Sequence, residues 1–353
     1  MSQFWSDRTH QLTPYTPGEQ PKDVQYIKLN TNENPYPPSE AVQQAIISAS
    51  GDDLRLYSDP SATDLKSAIA EFYSVDITNV FVSNSSDEVL AHTFVALLKH
   101  DAPLLFPDIS YSFYPVYCKL FDIESMQIPL TDNFEIDIKD YPKENGGIIF
   151  PNPNAPTGKA LSLEVIEQFL QAHPNSVIVI DEAYVDFGAD SAISLINQYD
   201  NLLVVQTFSK SRSLAGLRVG FAVGNSALIE GLERVKNSFH PYALARNAIA
   251  GATASIKDVA NFDKNRQKII ATREKATTAL EALGFKVIPS SANFVFAKPP
   301  QGFEAESLYL QLKNKGILVR YFNAPRIDGY LRITIGTDDE MSSLSRALKE
   351  IIT

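Results

Sequence analysis

The stretch LLVVQTFSKSRSLAGLRVGFAVG, residues 202–224, decides how the rest of the chain is read. It opens on an almost unbroken apolar run, 202–207, without the polar alternation of a half-exposed strand, as expected of a strand buried on both faces. A hydroxyl-rich segment carrying Lys210, Arg212 and Arg218 follows, and a second run occupies 218–223. Working outward, similar runs lie at 80–83, 103–106, 147–150 and 176–180, with helical spacing between them, as at 163–172. Apolar runs that alternate with helices specify an α/β fold with a mainly parallel sheet between helices. Toward the N-terminus, helical spacing marks 40–50 and 62–73, and the SSDE of 85–88 has the spacing of a capping box. Toward the C-terminus, a long helical stretch runs from 241 to about 283. Strands at 286–288 and 293–297, a helix at 304–314, strands at 317–319 and 331–335 and a helix at 338–351 then form a smaller α+β unit. Residues 13–38, rich in proline and polar side chains, read as an extended arm. The expected organisation is an arm over 1–38 packing with the small domain, a large domain over 39–255 and a small C-terminal domain over 256–353.

The composition is that of a globular chain: 353 residues, 44% hydrophobic and 21% charged. With 31 basic against 42 acidic residues the net charge is −11, a field that repels phosphates. Nucleic-acid and anionic-membrane partners are therefore not expected, and a phosphate-bearing small molecule would need a local basic site. A single cysteine, Cys118, excludes a disulfide framework and a cysteine-ligated zinc, and fits a reducing cytoplasm. Residues 1–12 lack an apolar signal-type core, and no window approaches the roughly 20 apolar residues of a membrane span. The Gly158-Lys159 pair is followed by Ala160, so no phosphate-binding Walker loop is present. His10, His92, His100, His173 and His240 lack ligand spacing, and no metal site is expected. These features point to a soluble cytoplasmic enzyme.

In open α/β sheets ligands gather at the carboxyl ends of strands. One run ends in Asp181-Glu182-Ala183-Tyr184, where a carboxylate beside a dry interior needs a partner such as a cationic ring nitrogen. Another ends in Thr207-Phe208-Ser209-Lys210, where a lysine leaving solvent becomes a nucleophile toward an aldehyde, and hydroxyls with Arg218 suit a phosphate dianion. The run at 80–83 enters a helix start at Ser85-Ser86-Asp87, an anion site through its free N–H groups. The run at 147–150 enters the proline-rich Pro151-Asn152-Pro153-Asn154-Ala155-Pro156-Thr157-Gly158. Taken singly, each reads equally as a cap, an ion pair, a solvated loop or a stiff turn. Together they supply an aldehyde-trapping lysine, a phosphate cup and a carboxylate for a ring nitrogen, the requirements of pyridoxal phosphate.

The motifs LNTNENPYPP (29–38), LYSDP (56–60), PNPNAPTG (151–158), DEAYVDF (181–187), TFSKSRSLAGLRVG (207–220) and LRITIGT (331–337) fall in order across nearly the whole chain. With them the chain resembles the fold-type-I pyridoxal-phosphate aminotransferases, and YTPGEQP, DEAY and LRITIGT are similar to the histidinol-phosphate branch of that family. The resemblance implies a large domain with a mainly parallel sheet plus a smaller α+β domain. It implies a covalent Schiff base of pyridoxal 5'-phosphate on Lys210, whose freed amine then moves protons. It pairs Asp181 with the pyridine nitrogen and lets Tyr184 donate to the ring oxygen. Thr207, Ser209 and Arg218, with the backbone of Ser86 and Asp87, hold the phosphate, and Tyr111 stacks on the ring. Tyr57 resembles the tyrosine that reaches the phosphate from a second subunit, which implies a homodimer with shared sites. On the substrate side the resemblance implies Arg332; Arg320, which reads equally as a surface strand arginine, Tyr15 and Asn32 are the candidates for completing a cluster that takes either a phosphate or a carboxylate.

Three positions depart from the family pattern. Relatives carry asparagine directly before PTG, where Ala155 stands here, so either Asn154 substitutes or Tyr184 acts alone. Arg212 either joins the phosphate cup or faces solvent, and Tyr114 is an alternative to Tyr111 as the stacking ring. The implied reaction is transamination between L-histidinol phosphate with 2-oxoglutarate and imidazole-acetol phosphate with L-glutamate, in histidine biosynthesis. The rivals are an aromatic or broad-specificity aminotransferase, an amino-acid-phosphate decarboxylase of the same fold, and a non-catalytic cofactor-binding module, which the retained Lys210 disfavours.

Overall fold

A computed structural model describes residues 2–16, 18–20 and 25–352. In chain order the strands are β1 (Ile27–Lys28), β2 (Val80–Asn84), β3 (Leu104–Pro107), β4 (Ser125–Ile128), β5 (Ile148–Pro151), β6 (Ile178–Asp181), β7 (Leu202–Thr207), β8 (Val219–Gly224), β9 (Lys286–Ile288), β10 (Phe294–Lys298), β11 (Ile317–Leu318), β12 (Arg320–Tyr321) and β13 (Leu331–Thr334). The helices are α1 (Asp7–Gln11), α2 (Glu40–Ser48), α3 (Thr63–Tyr73), α4 (Ser85–Leu97), α5 (Tyr114–Phe121), α6 (Leu163–Ala172), α7 (Ser226–Phe239), α8 (Arg246–Lys257), α9 (Val259–Ala282), α10 (Ala305–Asn314) and α11 (Asp338–Ile352).

The large sheet has the order β2-β8-β7-β6-β5-β3-β4. All its pairings are parallel except those of β8, which runs antiparallel to both β2 and β7. Because successive side chains of a strand face opposite ways, the uninterrupted apolar runs feed two cores. Ile178 and Ile180 of β6 join one, with Leu65 and Ile69 of α3 and Ile166 and Phe169 of α6. Val179 joins the other, with Phe94 of α4, Tyr114 of α5 and Leu232 of α7. Each fully buried side chain of this size contributes roughly 1.5–3 kcal/mol.

This topology gathers the site. The carboxyl ends of β2, β5, β6 and β7 lie on one edge, and the antiparallel β8 brings its amino end there. Asn84 sits opposite Val219, and Thr207 opposite Gly220. Gly220 is obligatory, because a Cβ there would stand 2.2 Å from the Ser86 nitrogen. The capping-box expectation is off by one residue: the Glu88 carboxylate accepts from the Ser83 hydroxyl and the Asn84 N–H, and Ser85 takes a left-handed conformation (φ 69°).

The second sheet, β12-β13-β10-β9, is antiparallel and packs with α9, α10 and α11. The helical stretch expected from 241 to 283 is two helices, α8 and α9, joined at Asp258, whose side chain accepts from Asn261 N–H. The N-terminal segment is tied on both sides of the cleft. Arg8 meets Asp122 and the Lys119 carbonyl at α5, while β1 pairs in parallel with β11, and Glu19 bonds Tyr309 and Lys313 of α10. Among the described residues no helix is long and apolar enough to cross a membrane.

Candidate active site

Two confluent cavities of about 400 and 590 Å³ open where the large sheet's carboxyl edge meets the second sheet. Both are lined by Thr31, Tyr111, Ala155, Tyr184 and Lys210. The Lys210 ammonium donates to the Thr31 carbonyl (3.3 Å) and lies 5.8 Å from the centre of the Tyr184 ring. The asparagine-rich segment before α2 holds this loop: the Asn34 amide donates to the carbonyls of Lys210 and Ser211 at 3.0 and 3.2 Å.

At the floor, Asp181 is buried at the end of β6. Its Oδ2 accepts from the Tyr114 hydroxyl (3.0 Å), and its Oδ1 has no partner although it is buried. Burial pushes its carboxyl up to about 6. An unsatisfied buried acceptor is costly, and a cationic N–H in the smaller cavity, which Asp181 lines, would satisfy it. The neighbouring Glu182 faces the other side of the sheet. There it accepts from Ser191, Ala192 N–H and Gln206, so the second carboxylate of the motif is structural.

The smaller cavity is closed by Ser86, Asp87, Thr207, Ser209 and Arg218. Arg218, left-handed at φ 56°, pairs with the Asp87 carboxylate at 2.6 Å, and Tyr111 donates to the same carboxylate at 3.0 Å. Hydroxyls, a guanidinium and a helix start around one small cavity form a cup for a phosphate dianion. Asp181, Lys210, Tyr184 and this cup together fit pyridoxal phosphate.

The larger cavity continues past Tyr15, Asn32, Arg320 and Arg332. The last two stand directly opposite one another on β12 and β13. Arg332 donates to the Asn30 carbonyl (2.8 Å) and lies over the Phe294 and Phe322 rings, and burial lowers its pKa. Glu19, the carboxylate close to Arg320, is taken by Lys313. Asn32 is buried in a left-handed conformation (φ 56°), bonded to Thr334, and its amide donates to the Tyr184 hydroxyl at 2.9 Å. Tyr15 packs on Phe113 at 4.9 Å.

The expectations for Asn154, Arg212 and Tyr114 need correction. Asn154 does not line either cavity: its amide is committed to the Ile109 carbonyl and Thr157, and Ala155 faces the cavity instead. Arg212 neither joins the cup nor faces solvent; it is buried between the Phe262 and Phe72 rings (3.9 and 5.0 Å) and donates to the Ser255 carbonyl. Tyr114 does not replace Tyr111, which lines both cavities; it lies beneath, bonded to Asp181. Tyr57 is 79% exposed and stacks on Tyr242 at 4.6 Å, away from the cleft of its own chain.

Sequence reasoning missed Arg326. It lines the larger cavity and ties the β12–β13 connection to the segments after β3 and β4, donating to Asp108 (3.0 Å) and to the Leu130 and Thr131 carbonyls (2.7 Å each). Arg326→Ala is expected to lower stability by about 1–2 kcal/mol, read as a lower urea midpoint. An unchanged midpoint would show that the tie carries no net energy.

The profile of the family described as aminotransferase class I and II matches residues 24–348. Histidinol-phosphate aminotransferase 1 of Hydrogenovibrio crunogenus is 61% identical over 352 residues, covering 100% of this chain and 99% of its own. Histidinol-phosphate aminotransferase 2 of Dechloromonas aromatica is 59% identical, covering 99% of each. The crystal structure of histidinol-phosphate aminotransferase from Sinorhizobium meliloti in complex with pyridoxal-5'-phosphate superposes with a TM-score of 0.90 over 100% of this chain and 98% of that one, at 23% identity, which shows the shared fold. Matched in profile across nearly its whole length, and in sequence by relatives it covers end to end, the chain belongs to the class I and II aminotransferases.

Proposed function

We propose that this chain is a pyridoxal-phosphate-dependent transaminase that interconverts L-histidinol phosphate and 2-oxoglutarate with imidazole-acetol phosphate and L-glutamate. The substrate assignment is supported by the 61% identical relative of that name. The observation that carries the cofactor is the unpartnered Oδ1 of buried Asp181 on the cavity that Lys210 also lines. Bound pyridoxal phosphate supplies an aldehyde that condenses with amines and a ring that takes up the electron pair left at the neighbouring carbon. In this reading Lys210 Nζ is the amine that holds the cofactor and, once the amino substrate has taken its place, the base that moves the Cα proton. Asp181 Oδ1 accepts the ring N–H, and its negative charge keeps that nitrogen protonated. The Tyr184 hydroxyl, oriented by the Asn32 amide, donates to the ring oxygen. Tyr111 covers the ring. The hydroxyls of Thr207 and Ser209, the Arg218 guanidinium and the N–H groups of Ser86 and Asp87 hold the phosphate. Arg320 and Arg332, with Tyr15, bind the substrate's phosphate or carboxylate.

We further infer a cytoplasmic homodimer in which Tyr57 completes the partner's phosphate site. The Tyr57 ring is exposed while its backbone is fixed, with Arg246 donating to the Leu56 and Tyr57 carbonyls. The division into an arm over 1–38, a large domain over 39–255 and a small domain over 256–353 belongs to the same reading; α8, within which the second boundary falls, packs on α2 and α3 of the large domain.

A half-reaction tests this function. Cofactor-loaded protein mixed with histidinol phosphate, without an oxo acid, should lose its visible absorbance and release about one equivalent of imidazole-acetol phosphate per site. The band should return on adding 2-oxoglutarate. A response to an aromatic amino acid but not to histidinol phosphate would overturn the substrate assignment, and absence of any visible band would overturn the cofactor.

A further inference from the structure

Three tyrosines, Tyr111, Tyr114 and Tyr117, stand three residues apart where the chain enters α5, and all three hydroxyls end on the acidic residues of the site. Tyr111 donates to the Asp87 carboxylate (3.0 Å), Tyr117 to the Asp87 carbonyl (2.7 Å) and Tyr114 to Asp181 Oδ2 (3.0 Å). Residues three apart on a helical turn share a face, so one short segment addresses both the cup and the floor. Tyr114 is wholly enclosed, packed against Tyr111, Phe106 and Phe94. A phenol in such a place needs a partner for its hydroxyl, and it donates to Asp181 Oδ2, which leaves Oδ1 as the oxygen without a side-chain partner.

We propose that Tyr114 is a positioning residue for Asp181: its hydroxyl takes Oδ2, which fixes the carboxylate plane, leaves Oδ1 free for a donor in the cavity that Asp181 lines and favours the ionised form. The cofactor part of this inference rests on the pyridoxal-phosphate reading above; the effect on the carboxylate itself does not. A carboxylate that accepts a hydrogen bond in its charged state is easier to ionise, whereas burial makes it harder. In Asp181 burial dominates and Tyr114 works against it. The other groups that act on Asp181 are the Ala183 backbone N–H and Lys210, after β7, which favour ionisation, and Asp87 of α4, which opposes it. Tyr111 and Tyr117 are neutral, since burial raises both hydroxyls above their ordinary range. Among the described residues Tyr114 is the side chain that donates to the carboxylate.

Tyr114→Phe keeps the ring and removes the donor. In the full-length protein freed of cofactor, difference infrared spectroscopy follows the protonated carboxyl band of Asp181. Glu182, pushed up to about 7, titrates nearby, so subtraction of the Asp181→Asn spectrum identifies the Asp181 band. The expected result is a midpoint near pH 6 in the parent chain and a midpoint at least half a pH unit higher in Tyr114→Phe. The holoenzyme should hold pyridoxal phosphate about tenfold more weakly, the worth of one hydrogen bond to a charged acceptor, measured by equilibrium dialysis. Phe94→Leu is the packing control: it loosens the same aromatic cluster without touching the carboxylate, and its Asp181 midpoint should match the parent chain. The proposal falls if the midpoint of Tyr114→Phe does not move, or if Phe94→Leu moves it as far. Failure of every variant, parent included, to bind pyridoxal phosphate would instead overturn the cofactor reading, while the infrared titration still decides the role of Tyr114.

Discussion

Lys210→Ala is expected to reduce turnover about 10⁴-fold or more, because no other group in the cleft both forms a bond to the cofactor and moves the substrate proton. Among the described residues the Lys210 ammonium donates only to the Thr31 carbonyl, and both residues line the open cavities, so water takes the vacated place. Stability should therefore change by no more than about 0.5 kcal/mol. Thr207, Ser209, Arg218 and Asp181 remain, and the variant should still retain cofactor, more weakly than the parent chain. Lys210→Arg separates charge from chemistry: it restores a cation, but a guanidinium does not give up its proton, and activity should stay as low as in the alanine variant. Single-turnover mixing with histidinol phosphate reads the chemical step directly, and thermal unfolding checks the fold. Near-parental turnover in either variant would remove Lys210 from the role assigned to it.

That assignment was legible in sequence because it lies at strand ends. The run 202–207 coincides with β7 and 163–172 with α6, since an uninterrupted apolar run and a helical spacing are strong local signals. Asp181 and Thr207 stand at the last position of a strand, and both line the smaller cavity. The edge strand β4 was not, because three of its four residues are exposed and it carries no apolar run. Nor was the reversal of β8: pairing direction is set by the connection, and residues 208–218 loop back through the site without a helix long enough for a parallel crossover. The site contacts that sequence reasoning did not anticipate join residues distant along the chain. Tyr114 meets Asp181 across 67 positions, and Arg326 meets Asp108 across 218. Asn154 failed for the opposite reason. Its place was inferred from the family loop, but here its amide closes the local turn on Thr157 and the Ile109 carbonyl, leaving Ala155 toward the cavity.

The second large effect is expected from the arginine pair. Arg320 and Arg332 are brought into register by the β12–β13 ladder, and like charges directly opposite on neighbouring strands repel. Glu19 relieves the repulsion only in part, because its carboxylate acts on Arg320 but is paired with Lys313. An arrangement that costs stability in the empty protein is expected where an anionic ligand supplies the missing charge. Arg320→Met should therefore leave stability unchanged or raise it by about 0.5 kcal/mol, while Arg332→Ala, which also loses its bond to Asn30 and its packing on Phe294 and Phe322, should lower it. On binding, both changes act in the same direction. Each should weaken glutamate and histidinol phosphate alike by about 10²-fold in kcat/KM, since charge-assisted hydrogen bonds to a carboxylate or a phosphate are lost in either half-reaction. The double variant should lose less than the product of the two single losses, because both guanidinium groups grip one anion and their contributions are coupled. Separate measurement of the two half-reactions is decisive. A loss confined to one substrate would mean that phosphate and carboxylate are bound at different places, and the two opposed arginines would then need another explanation.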